Sequence, residues 1–163
     1  MSEVMRLDHD GHLTASVGRF TAQPSFSAYA NANQTTINSS HWMHVSANVE
    51  NYDVGSGYNT TTCTYTAPET GTYLLTSTAR MSSVNDGGYV WMWIETSNIS
   101  YYGDLWSTDE DDNSHFSSPS LTVTTQLDAG DTVKVYVRAT SGTATTDGTA
   151  GAQMVQFQGH MLS

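Results

Sequence analysis

Cysteine and lysine occur once each in the 163 residues, and charged residues of every kind make up only 13% of the chain. The single cysteine, Cys63, excludes an intrachain disulfide. Its setting in Thr62, Cys63, Thr64, Tyr65 predicts a small buried hydrophobe in an alternating run rather than a reactive thiol. One lysine and four arginines face sixteen acidic residues, for a net charge of −11. Phosphate-backbone binding needs the cations that are missing, so nucleic acid is a poor partner. An acidic, lysine-poor surface suits a saline exterior rich in divalent ions. No apolar run approaches the length of a spanning helix, so no membrane insertion is expected. The opening MSEVMRLDHDGH lacks a basic region followed by an apolar stretch. The expectation for work outside a cell is therefore export without an evident signal, or release with a particle by lysis. Catalytic signatures are missing as well: there is no Gly-x-Ser-x-Gly elbow, no phosphate-cradling glycine loop and no Cys and His pair around Cys63. Sixteen acidic residues will contain two neighbouring carboxylates by chance, so they argue for no glycosidase. The chain is not expected to be an enzyme.

What is present favours strands. Nine Tyr, four Trp and four Phe supply large areas to bury although the hydrophobic share is only 37%. Thr, Tyr, Val and Trp suit a pleated surface, whereas the helix formers are thin. The length fits one core. Residues 1–24 stand apart as a connector: Val4 to Leu7 and His12 to Val17 flank Asp10 and Gly11, a hairpin turn pair, and Pro24 closes the segment. Residues 25–163 alternate strand-like runs with turn chemistry. The predicted strands are 26–30, 34–38, 42–50, 58–66, 72–81, 88–96, 99–106, 116–127, 132–140 and 151–162, an all-β, antiparallel set of ten. Val133, Val135 and Val137 alternate with Lys134, Tyr136 and Arg138, so the valines face inward. Run 88–96 is apolar on both sides, with Val90, Met92 and Ile94 on one and Tyr89, Trp91 and Trp93 on the other.

Asp53, Tyr58, Tyr65, Gly71 and Tyr73 lie at fixed intervals within DVGSGYNTTTCTYTAPETGTY. PSFSAY precedes them, and LDAGDTVKV and FQGHML follow in order. These residues resemble the signature, opening strand, turn and closing strand of the globular head of complement component 1q, a ten-stranded jelly roll shared with tumour necrosis factor. The resemblance covers about residues 24–163. The family's first Phe falls on Ala47, its Phe before the Gly on Tyr65, and its last aromatic positions on Leu75 and Ser77, the marks of a distant branch. MRLDHDGHLTA leading into PSFSAY is similar to junctions that precede such heads in bacteriophage fibre proteins.

That resemblance implies a homotrimer around a threefold axis, with Phe26, Tyr29, Tyr73 and Phe157 on the inner sheet that meets the other copies. It also sets strand 132–138 beside strand 88–96 in the outer sheet. Trp91, Trp93, Glu95, Lys134, Tyr136 and Arg138 would then form one outward cluster, whose rings stack on sugars or receive cations. The plainer reading of the same cluster pairs Arg138 with Glu95 and lays Lys134 over Trp93 to seal the sheet. Asp109, Glu110, Asp111, Asp112 and Asn113 offer hard oxygen ligands for calcium, or form a solvated acidic loop; no cofactor is otherwise required. His41 and His44 point to opposite faces of a strand and make no zinc site, and His160 is expected to be a hydrogen-bonded packing residue. The functional expectation is a recognition head on a virion fibre or otherwise outside a cell, binding a cell-surface glycan or protein. The alternatives are a structural trimerisation cap and a polysaccharide-acting enzyme.

Overall fold

Alternating β-branched and aromatic residues fold the chain into short antiparallel strands, with no helix among the described residues. The computed structural model describes residues 5–7, 13–15, 23–37, 41–84, 88–103, 106–108, 116–140, 143–149 and 151–163. In chain order the strands are β1 (Met5–Leu7), β2 (Leu13–Ala15), β3 (Ser25–Tyr29), β4 (Gln34–Ile37), β5 (Met43–His44), β6 (Val49–Val54), β7 (Tyr58–Asn59), β8 (Thr64–Thr66) and β9 (Gly71–Ala79). They continue as β10 (Met81–Ser82), β11 (Gly88–Thr96), β12 (Ser100–Tyr102), β13 (Trp106–Thr108), β14 (Ser120–Leu127), β15 (Thr132–Ala139), β16 (Ala144–Thr146) and β17 (Val155–Met161).

Two large sheets make the body. One runs β14-β9-β17-β3-β6; the other runs β12-β11-β15-β8-β7, with β13 also on β11 and β5 also on β15. The inward residues of both sheets join one hydrophobic cluster, the arrangement of a two-sheet sandwich. The first and last sandwich strands, β3 and β17, lie side by side, with Phe157 opposite Ala28. A small sheet of β10, β16 and β4, which the sequence did not announce, sits outside this pattern. The expected hairpin is present as a sheet of its own, Leu7 opposite Leu13, while the Asp10–Gly11 turn lies outside the described residues.

Several expected strands are shorter than their alternating runs. Run 42–50 yields only β5 and the start of β6, and run 58–66 breaks into β7 and β8 around a turn. Cys63 is buried as expected, but it occupies that turn at φ 48° instead of continuing a strand. The run 99–106 divides between β12 and β13.

The fixed-interval residues have clear duties. The Asp53 carboxylate accepts the backbone N–H groups of Gly57 at 3.2 Å and Tyr58 at 2.8 Å, closing the turn after β6. The Tyr58 hydroxyl donates to the Ala47 carbonyl and the Tyr73 hydroxyl to that of Glu69. Between these anchors the rings assemble around Phe26. It stacks on Tyr65 at 4.2 Å and Tyr58 at 5.0 Å, and meets Phe157 edge-on at 4.8 Å. Such pairs add to the area that the rings bury. In the Leu127 to Asp131 turn, Gly130 takes φ +96°, and the Asp131 carboxylate accepts the Asp128 N–H and the side-chain donors of Ser97 and Asn98. These bonds, the Asp128 N–H first, hold the Asp131 carboxyl below its usual range and tie the β14–β15 turn to the β11–β12 turn.

This packing corrects the expected interface set. Phe26, Tyr73 and Phe157 are at most 1% exposed in a single copy, because β3, β9 and β17 turn them into the sandwich. Only Tyr29 is half-buried on the opposite side. Leu74 and Tyr52, 36% and 49% exposed, stand on that outward face instead. With Thr76, Gln158, Gly159 and His160 they line a shallow hollow of about 100 Å³. His160 is therefore an exposed surface residue, not the packed one expected.

Candidate functional site

The outer face of the second sheet carries the aromatic cluster, and strand register builds it. Antiparallel pairing of β11 with β15 puts Trp91 opposite Arg138, Trp93 opposite Tyr136 and Glu95 opposite Lys134. All six residues of the expected cluster thus come together on one face. Directly opposed side chains on one face lie about 5 Å apart at Cβ, close enough to pack. Inward between them, Val90, Met92, Ile94, Val133, Val135 and Val137 are fully buried.

Two flanking strands complete the surface. β12 pairs Tyr102 with Trp93, and β5 pairs His44 with Tyr136. Just before β5, Trp42 reaches over the cluster, 4.4 Å from Trp93, 5.9 Å from Trp91 and 6.4 Å from Tyr102 between ring centroids. The Arg138 guanidinium lies 5.0 Å from the Trp91 ring and 5.9 Å from that of Trp42, within cation–π range. Tyr136 packs against Trp93 and His44, each at 5.2 Å. In register Arg138 stands across from Trp91, over whose ring its guanidinium lies, and Lys134 stands across from Glu95.

Two concavities open on this face. Trp42, Trp91, Tyr102 and Gly103 wall an apolar cleft of about 240 Å³. At the other end of β11, a polar hollow of about 210 Å³ is lined by Glu95, Thr96, Ser97, Thr132 and Lys134. The rings of Trp93 and Tyr136 separate them. The Trp93 indole N–H is buried without a hydrogen-bond partner among the described residues. Burial, and then the nearby Glu95 carboxylate, push the Tyr136 phenol above its usual value, so it remains a neutral hydroxyl. Such a surface offers flat apolar faces, one guanidinium and a set of hydroxyl, amine and carboxylate groups, which is equipment for binding.

Sequence reasoning missed Trp42 and Tyr102. Trp42 and His44 alternate across Met43, a two-residue period that marks one strand face, but only the β5–β15 pairing reveals that the face is this one.

The globular domain of zebrafish complement 1qA protein superposes with a TM-score of 0.59 at 17% identity, over 86% of this chain and 98% of that one. Eiger, a tumour necrosis factor from S. frugiperda, gives 0.59 at 16% identity, over 86% and 94%. The fold is the tumour necrosis factor-like jelly roll. No protein-family model matches the sequence, and no curated protein does. At these identities the likeness fixes the architecture, and the site must be argued from this jelly roll's own residues.

The expected calcium ligands Asp109, Glu110, Asp111, Asp112 and Asn113 lie outside the described residues. Among the described residues no group of three or more His, Cys, Asp or Glu side chains is placed to hold a metal. Among the described residues no helix is long and apolar enough to cross a membrane.

His44 links the site to stability. Its Nε2–H donates to the Cys63 carbonyl at 3.2 Å, and burial, the largest influence, holds the ring below its ordinary value of 6.5 despite that bond. The unfolded chain therefore takes up this proton more readily than the folded one, and stability declines as pH falls below about 6.5. Asp131 and Asp147, whose carboxyls are also held low, act in the same direction but in a more acidic window. Denaturant titrations between pH 8 and pH 5 should show a stability loss that His44→Gln reduces; an equal loss in both proteins would remove His44 as the cause.

Proposed function

We propose that this jelly roll is a trimeric recognition head that binds a glycan on a cell surface through its outer sheet, carried at the tip of a virion fibre. The observation that supports it most is the aromatic-walled cleft of Trp42, Trp91 and Tyr102 with Arg138 at its edge. Tyr102 is 66% exposed and Trp42 and Trp91 are partly exposed, and an indole or phenol face suits the C–H face of a sugar. Trimerisation is supported by the opposite sheet. Four of its five strands, β14, β9, β17 and β3, carry no lysine, arginine, aspartate or glutamate in a chain of net charge −11; the carboxylates Glu50 and Asp53 lie on the edge strand β6. A face whose centre is free of charge can be covered by copies of itself with little cost of desolvating ions. The fibre setting is supported by the hairpin of β1 and β2, which precedes the sandwich as a separate sheet, and by the sequence likeness of that junction.

Mutual packing of Trp42 on Trp93 supports a second reading, a cap whose rings merely seal the outer sheet and whose task is to register a fibre. One experiment separates the two. Trp42→Ala with Trp91→Ala should keep the wild-type oligomer in sedimentation but lower binding to a glycan array and to host cells by about tenfold or more. Undiminished binding by a folded variant, or no binding by the wild type, leaves the cap. Sugars released from host envelopes would instead reveal an enzyme.

A further inference from the structure

Resting on the recognition reading, we infer that the ligand is a linear, uncharged oligosaccharide lying along β11, with one sugar ring in the aromatic cleft and another in the polar hollow. Trp91 and Glu95 project from the same face of β11 four residues apart, a span of about 13 Å, which a single sugar does not bridge but a short oligosaccharide does. The two concavities are of similar size, about 240 and 210 Å³, and the rings of Trp93 and Tyr136, tilted 58° to one another, form the rise between them that the chain would cross. Their linings differ in kind. The first is walled by rings, which take the apolar face of a pyranose. The second brings the Lys134 amine as a donor and the Glu95 carboxylate as an acceptor, beside Thr132. Such a mixed set suits the ring of hydroxyls on a neutral sugar, each both donor and acceptor.

Glu95 and the net charge of the chain weigh against an acidic ligand, although Lys134 and Arg138 stand on the same face. An anionic unit in the polar hollow would meet Glu95, and the protein that surrounds it has a net charge of −11. A neutral chain meets neither penalty and uses Glu95 as a partner.

The test uses the full chain against immobilised mono- to hexasaccharides of glucose, galactose, mannose and N-acetylglucosamine, with galacturonic acid oligomers as the acidic arm. Calorimetry then follows on the series that binds best. The expected result is a neutral series whose affinity rises about tenfold from monosaccharide to tetrasaccharide, and a Glu95→Gln, Lys134→Ala double variant in which that rise is lost. Circular dichroism and melting confirm that the variant is folded. Three results would overturn the inference: equal affinity for short and long neutral chains, preference for the acidic arm, or a length dependence that survives the double substitution. In each of those cases loss of binding in Trp91→Ala would preserve the recognition reading, whereas no binding to any series or to host cells would end both.

Discussion

Phe26→Ala is expected to cost the folded state about 3–5 kcal/mol, the range for emptying a large aromatic site in a closed core. A domain of this kind has on the order of 5–15 kcal/mol in total, so the variant would stand near its folding limit. The reason is the ring's position: it touches Tyr58, Tyr65 and Phe157, and all four are at most 8% exposed. Opposite it, Gly159 leaves the space the ring occupies. A Cβ there would meet the Phe26 ring edge and come within 3.0 Å of Leu75 Cδ2. Gly159→Ala alone should therefore cost about 1–3 kcal/mol by overpacking. Combined with Phe26→Ala the two costs should not add, because the new methyl enters the space the ring vacates. Urea titrations at several protein concentrations would measure this and separate core loss from dissociation. A Phe26→Ala protein that melts like wild type but dissociates more easily would return Phe26 to the interface and refute the core assignment.

Leu74→Arg is expected to convert a trimer into single folded copies. Leu74 lies on the outward face of β9, across from Thr124 on one side and His160 on the other. In a single copy the new side chain would project into water, where substitutions usually change stability by no more than about 0.5 kcal/mol. Between copies the same guanidinium would be buried without a partner, at about 3–5 kcal/mol in each subunit by the measure of broken buried pairs. Sedimentation should show wild type at three times 17.7 kDa and the variant at 17.7 kDa, with the same circular dichroism. Wild type running as a single copy, or a variant that stays trimeric, would reject this face as the contact.

How far the sequence could be read varied with the range of the interaction involved. Val133, Val135 and Val137 are buried as their alternation requires, since side-chain direction along a strand is set residue by residue. The Asp128 to Asp131 turn was equally plain, because its bonds close within four residues. Strand 34–38 was expected and is β4, but the small sheet that it joins was not. The sheet of β10, β16 and β4 consists of strands of two to four residues held by partners far away in the chain, such as Met81 with Thr146. The six-residue cluster was visible once β15 was set beside β11, but its internal pairing was not. Moving the register by two residues would have given Arg138 a different partner.

The sequence by itself determined that this protein is all β, which residues alternate on a strand such as β15, and where the Asp128 to Asp131 stretch must turn. Tertiary structure alone decided that β3, β9 and β17 turn Phe26, Tyr73 and Phe157 into the sandwich, and so removed them from the surface and offered Leu74 and Tyr52 in their place. It alone brought Trp42 to Trp91 and Trp93, and divided the outer face into an apolar cleft and a polar hollow. The physical reason is that periodicity is a property of neighbours along the chain, whereas a sandwich is fixed by contacts between residues as distant as His44 and Tyr136, whose pairing depends on every strand between them.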